Sequence, residues 1–136
     1  LDQDSKRQTL SLLKDLFPDA AKLIITHDIS VAAACDRILV LCGGRMLETG
    51  ISSEVLAVPY QPYTKALLSA IPIPELGVQK ERIPIKGEIT SPINMPDECR
   101  FFKRCQYACD KCKAVPPLVE VTPGHFVACF RQDELN

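Results

Sequence analysis

The sequence predicts an α/β fold over its first half, joined to a small, irregular, cysteine-rich C-terminal domain. Three observations carry that expectation. Residues 1–70 read in the order helix, strand, helix, hairpin, helix, helix; the run Ile71-Pro72-Ile73-Pro74 then breaks the pattern; and five of the seven cysteines fall between Cys99 and Cys129.

Taking the elements in turn, Asp4 to Phe17 sets Leu10, Leu13 and Phe17 at helical spacing, with Leu16 alongside and Lys and Asp on the other side, which is an amphipathic helix. After Pro18-Asp19, Lys22-Leu23-Ile24-Ile25-Thr26 is continuously apolar and short, as expected of a strand buried on both faces of a parallel sheet. Ile29 to Cys35 reads as an alanine-rich helix. Arg37 to Leu41 reads as a strand, Gly43-Gly44 supplies the positive φ that a two-residue hairpin turn requires, and Arg45 to Thr49 returns. Ser52 or Ser53 is expected to cap a short helix through Ala57. Pro62 is expected to open another, with Tyr63, Ala66, Leu67 and Ala70 on one side.

Two prolines in Ile71-Pro72-Ile73-Pro74 block helix continuation, so the boundary is placed there, with domains at 1–72 and 73–136. The second segment has many prolines and little periodicity. A domain of that kind builds a small apolar core and ordinarily needs a staple.

Apolar and aromatic residues make up 46% of the chain, charged residues 24%, and the net charge is -1. That is a globular composition with no global electrostatic signal for nucleic acid. Its longest apolar runs fall far short of the ~20 residues that span a bilayer, and no signal peptide opens the sequence. A soluble, unexported protein is expected. The odd number of cysteines, clustered in one segment, points to cytosolic thiols or a metal site rather than a secreted disulfide framework.

His27 follows the expected buried strand, at the sheet edge where α/β proteins place ligand chemistry, while Asp28 is placed to cap the next helix. Leu1-Asp2, the first helix, Thr26-His27-Asp28, and the run Asp36-Arg37-Ile38-Leu39-Val40-Leu41 followed by Gly44-Arg45-Met46-Leu47-Glu48-Thr49-Gly50 together resemble the end of an ABC-type nucleotide-binding domain of the P-loop class. That resemblance implies that His27 is the switch histidine contacting the γ-phosphate of ATP, and that Asp2 is the D-loop aspartate reaching across an ATPase dimer. Asp2 is equally placed to cap the first helix. The sequence contains no G-x-x-x-x-G-K-[ST] loop, no L-S-G-G-Q type signature and no strand ending in Asp-Glu. The expectation is therefore a fragment that does not hydrolyse ATP alone, with ATP and Mg²⁺ bound in the intact protein only.

Gln61-Pro62-Tyr63-Thr64-Lys65-Ala66-Leu67-Leu68-Ser69-Ala70-Ile71-Pro72 resembles the H-P-Y-T-(R/K)-A-L-L-x-A-x-P segment of ATPase subunits for oligopeptide, dipeptide and nickel uptake, with Gln61 where histidine is common. The region from Gly87-Glu88 through Ser91-Pro92 and Cys99 to Cys129 is similar to that family's tail. The resemblance implies a motor for peptide import at the inner face of the cell membrane. Its partners would be a second ATPase subunit and two membrane permeases, with an external binding protein acting indirectly.

Cys99, Cys105, Cys112 and Cys129 are spaced Cys-x5-Cys-x6-Cys-x16-Cys, with chain enough to converge on one centre. Thiolate softness favours Zn²⁺ or an iron-sulfur cluster. Spacing alone leaves both open, along with unligated thiols, and Cys109-x2-Cys112 would suit a zinc knuckle with Cys109 as a substitute ligand. Family members with this tail hold a 4Fe-4S cluster, so the resemblance implies that cofactor at these four positions. Arg100, Lys103, Arg104, Lys111 and Lys113 outnumber Asp110 nearby, and the excess of positive charge is expected to favour thiolate. His125 is expected to make a structural hydrogen bond to the site. Cys35 and Cys42 are expected to be inert core residues. The alternatives to a transport motor are a stand-alone metal-binding module and a regulatory fragment that docks on a partner.

Overall fold

The computed structural model describes residues 2–71, 81–88, 91 and 93–135. The expected boundary at 72/73, and Ile89 and Pro92 of the tail motif, lie outside them.

Helix α1 (Gln3–Leu16) begins where Asp2 caps it, its carboxylate accepting the Ser5 N–H at 2.7 Å. Such a cap is worth about 1 kcal/mol. Helix α2 (Ile29–Ala33) is capped in the same way by Asp28 through the Ser30 N–H at 2.9 Å. Lys6 of α1 forms an ion pair with Asp28, which ties the two helices together.

Strands β1 (Arg37–Cys42) and β2 (Arg45–Ile51) form the predicted hairpin, with Gly43 and Gly44 at φ 53° and 75°. Helix α3 (Ser52–Ala57) follows directly. Neither serine caps it: Ile51 occupies the cap position without a side-chain bond, and the buried Ser52 hydroxyl has no partner. Helix α4 (Pro62–Ser69) opens with proline in its first turn and Gln61 as its cap. Its buried positions are Pro62, Thr64, Ala66, Leu68 and Ser69; of the four residues expected on one side, Ala66 is buried and Tyr63 packs against the core, while Leu67 and Ala70 are exposed.

The tail contributes two one-turn 3₁₀ helices, Phe102–Arg104 and Asp110–Lys113, and two strands, β3 (Val119–Thr122) and β4 (His125–Val127). All four strands join one antiparallel sheet in the order β1-β2-β4-β3. The tail therefore extends the hairpin: Glu48 lies opposite Val127, Thr49 opposite Phe126, and the Ala128 N–H donates to the Leu47 carbonyl at 2.8 Å. Val55, Val127 and Leu47 are almost fully buried around this junction. Each such side chain contributes roughly 1.5–3 kcal/mol by leaving water.

The expected parallel strand over 22–26 is absent. Leu23 and Ile25 are 80% and 93% exposed, and no described strand pairs with them. A strand apolar on both faces needs a neighbouring sheet to bury it, and the described sheet is wholly antiparallel and lies elsewhere.

Candidate functional site

His27, the expected phosphate contact, is exposed at a bend between residues that are held in place. Asp28 is fixed by Lys6 and by Ser30, whose hydroxyl donates to it at 2.6 Å, and the Asp28 N–H donates to the Thr26 hydroxyl at 3.0 Å. The Lys6 ammonium and the Ser30 hydrogen bonds hold the Asp28 carboxyl far below the usual carboxylate range. Asp2 is likewise lowered by the Ser5 backbone bond of its cap. His27 and Asp2 are thus placed at the starts of α2 and α1, each on the solvent side.

The cysteines behave differently. Cys99 and Cys112 are buried in one core with Leu47, Phe101 and Ala128, and Cys42, Cys105 and Cys109 pack against it together with Tyr63, Ile85, Phe102 and Phe130. Backbone joins them as well, the Cys99 N–H donating to the Cys112 carbonyl at 3.0 Å and the Cys112 N–H to that of Cys109 at 2.9 Å. Sulfur atoms of this group accept backbone N–H bonds from two residues on: Phe101 to Cys99, Tyr107 to Cys105, and Arg131 to Cys129 at 3.4 Å. Cys109 and Cys112 place their sulfurs 3.6 Å apart. The small core expected of the tail is therefore built largely from thiols, and Cys42, expected to be an inert core residue, faces it from the hairpin.

Positive charge does not set the protonation of these thiols. Burial pushes Cys99 up to about 11 and raises Cys105, Cys112, Cys129 and Cys42. Burial is the largest cause at each of them, and the guanidinium groups of Arg131, at Cys105 and Cys129, and of Arg104 and Arg100, at Cys42, only partly offset it. Cys109 alone is lowered, chiefly by its hydrogen bond to Cys112. Among the described residues no group of three or more His, Cys, Asp or Glu side chains is gathered to hold a metal ion.

His125 is buried, and its hydrogen bond runs not to the cysteines but to Glu48, 77 residues earlier, at 2.8 Å. The Glu48 carboxylate, also fully buried, accepts the Tyr60 N–H at 2.8 Å and the Gln61 N–H at 3.3 Å. Tyr60 stands edge-on to the imidazole at 5.2 Å. Gly50 leaves room for it: a Cβ there would sit 3.2 Å from the ring and 3.0 Å from Val55. Sequence reasoning missed Glu48 as a structural centre. The available signal was a carboxylate in a strand flanked by apolar residues, which must be paired if buried.

Residues 47–112 match the family described as the oligopeptide/dipeptide transporter, C-terminal region. A Brucella ovis protein named for peptide import and ATP binding is 44% identical over 98% of this chain and 43% of its own length. The dipeptide transport ATP-binding protein DppF of Haemophilus influenzae is 39% identical over 98% of this chain and 42% of its own. A Bacillus subtilis protein named for oligopeptide transport and ATP binding, YkfD, is 45% identical over 95% and 41%. The chain spans about two-fifths of the length of these curated relatives. Strand β2 from Leu47 onward, the Pro62 helix and Cys99, Cys105, Cys109 and Cys112 of the cysteine core fall inside the segment that matches this family, and β1, β4 and Cys129 lie beside it.

Proposed function

We propose that the chain works as the C-terminal part of the ATP-binding subunit of an importer for oligopeptides or dipeptides, with ATP and Mg²⁺ bound by the intact protein. Similarity to peptide- and dipeptide-transport ATP-binding proteins over 95–98% of the chain carries this reading. In it His27 donates a hydrogen bond to the γ-phosphate and helps to order the attacking water. Its exposure, between an anchored Asp28 and Thr26, supports that role, because a pre-positioned imidazole needs little reorganisation to meet a phosphate brought by another part of the protein. Asp2 uses Oδ1 to cap α1 and contributes from that helix start to the contact with a second ATPase subunit. Two permeases and, indirectly, a binding protein complete the assembly at the inner face of the membrane. Among the described residues no helix is long and apolar enough to cross a membrane. In the full-length protein, His27→Ala is expected to lower ATP turnover by about 100-fold while leaving the far-UV circular dichroism unchanged. Turnover within twofold of the parent refutes the role.

The cysteine core supports a second component of the same reading, in which Cys99, Cys105, Cys112 and Cys129 hold a 4Fe-4S cluster. The donor set is soft, three of the four thiols, Cys99, Cys105 and Cys112, share one core, and backbone N–H groups already point at the sulfurs of Cys99, Cys105 and Cys129, as they do where thiolates are held for iron. A cluster there would supply a covalent staple for the small core of the tail. Anaerobic purification followed by iron, sulfide and zinc analysis tests it: four irons with matching sulfide are expected, and one zinc without iron overturns it.

A further inference from the structure

One ion pair joins the start of α1 to the bend that carries His27. Lys6 stands one turn into α1, where its N–H donates to the Asp2 carbonyl at 3.2 Å, and its ammonium reaches Asp28, 22 residues later and directly after His27. The pair is shielded from much of the solvent, the Lys6 side chain being 30% exposed and that of Asp28 20%. Both carboxylate oxygens are engaged: Oδ2 takes the ammonium, while Oδ1 accepts the N–H and the hydroxyl of Ser30. The Asp28 N–H in turn donates to the Thr26 hydroxyl at 3.0 Å, a bond that spans His27 and closes the bend around it. The backbone on either side of the imidazole is thus held by Thr26 and Asp28, and Asp28 is tied to α1 by Lys6. The Lys6 ammonium and the Ser30 hydrogen bonds keep this carboxyl ionised far below the usual carboxylate range, so the pair is intact at neutral pH. A second link between the helices, from the Lys14 ammonium in the last turn of α1 to the Ala34 carbonyl at 3.4 Å, is exposed and lies where α2 ends.

We propose that Lys6 is a positioning residue for His27: by holding Asp28 it fixes the His27 bend to the start of α1, so that the imidazole and Asp2 keep one geometry when the nucleotide and the second ATPase subunit meet them. This rests on the role proposed for His27 above. Lys6 acts through Asp28 and the backbone of the bend, not by contact with the nucleotide. Its loss leaves Asp28 as the cap of α2 and Thr26 across the bend, so the bend is loosened relative to α1 and not dismantled. A misplacement of about 1 Å at a reacting centre can cost on the order of 100-fold in rate, and a loosened bend that still samples the productive position should cost about tenfold.

The test measures steady-state ATP turnover in the full-length protein. Lys6→Met, which removes the charge and keeps the length of the side chain, is expected to lower kcat about tenfold with KM for ATP changed less than about twofold. Asp28→Asn breaks the same pair from the other side while retaining a good cap for α2, and should give a similar loss. Lys6→Arg restores a cation and should recover at least about half of the parent kcat. In a His27→Ala background Lys6→Met should have no further effect, because a residue that acts through the imidazole has nothing left to position. Lys14→Met, which removes the other link between the helices, should leave kcat within twofold of the parent. Four results each overturn the proposal while leaving His27 its role: kcat within twofold of the parent in both Lys6→Met and Asp28→Asn, no recovery in Lys6→Arg, a further loss in the His27→Ala background, or an equal loss in Lys14→Met. Turnover within twofold of the parent in His27→Ala itself takes down both.

Discussion

Replacing His125 by alanine removes the buried imidazole that Glu48 holds across the junction between hairpin and tail. Both side chains are almost fully shielded from water. The carboxylate keeps the Tyr60 and Gln61 N–H donors but loses its 2.8 Å partner, and the cavity left behind is too enclosed to admit bulk solvent as a substitute. Taking one member from a buried charged or strongly hydrogen-bonded pair costs about 3–5 kcal/mol, to which the edge-on contact with Tyr60 adds about 0.5–1.5 kcal/mol. A loss near 4 kcal/mol is a large fraction of the 5–15 kcal/mol that stabilises a typical domain. With a urea m-value of about 2 kcal/mol/M, the unfolding midpoint should fall by roughly 2 M, measured by circular dichroism. Glu48→Gln keeps the shape but turns an N–H₂ toward a backbone donor, and should cost less, about 1–3 kcal/mol. A midpoint shift under 0.5 M for His125→Ala would refute the reasoning, because it would mean that the pair is not what joins the two halves.

Three further outcomes follow from the same geometry. Gly50→Ala should destabilise by about 1–3 kcal/mol by overpacking, since its Cβ would meet Val55 at 3.0 Å and the His125 ring at 3.2 Å; the urea midpoint reads this too, and an unchanged value counts against the packing. Because the folded carboxyl of Asp28 is depressed, its contribution is present above the unfolded value of about 3.9 and is lost only as pH falls through the much lower folded value. A carbon-detected titration should find Asp28 still ionised at pH 3, and Lys6→Met should move it back toward 3.9. Cys99 runs the other way: its folded value, about 11, lies above the unfolded thiol, so the metal-free chain should keep its full contribution below about pH 8.5 and lose it as pH climbs toward 11. Stability that is flat from pH 8 to 11 would contradict a buried neutral thiol.

Local chemistry made much of this fold legible beforehand. Gly43-Gly44 required a hairpin, Pro62 opened α4, and Asp2 and Asp28 sat where caps belong; each is decided within a few residues. The failures were nonlocal. Lys22 to Thr26 had the composition of a buried strand, yet a strand exists only with a partner, and composition does not reveal whether a partner is present. The protonation of the cysteines was misjudged because counting nearby Arg and Lys ignores burial, which outweighs them at Cys99, Cys105, Cys112 and Cys129. The pairing of Glu48 with His125 spans 77 residues, and nothing in either neighbourhood identifies the other.

That pairing also changes how the two halves relate. Composition suggested an α/β unit followed by a loosely organised appendage, but β4 lies against the free edge of β2, and an uncovered edge would otherwise present a row of unpaired N–H and C=O groups. Arg37 donates to the Gly124 carbonyl at 2.9 Å, and Arg45 meets Asp97 at 3.0 Å, so both ends of the hairpin reach the tail. The thiol core then sits directly behind the strand that carries Glu48, with Leu47 on one side of the strand facing the cysteines and Glu48 on the other facing His125. Adjacent residues of a strand point to opposite faces, so one strand meets both the sulfur core and the buried Glu48–His125 hydrogen bond, and a change in the oxidation or ligation of the cysteines acts on the hairpin through Leu47 of β2 and Cys42 of β1.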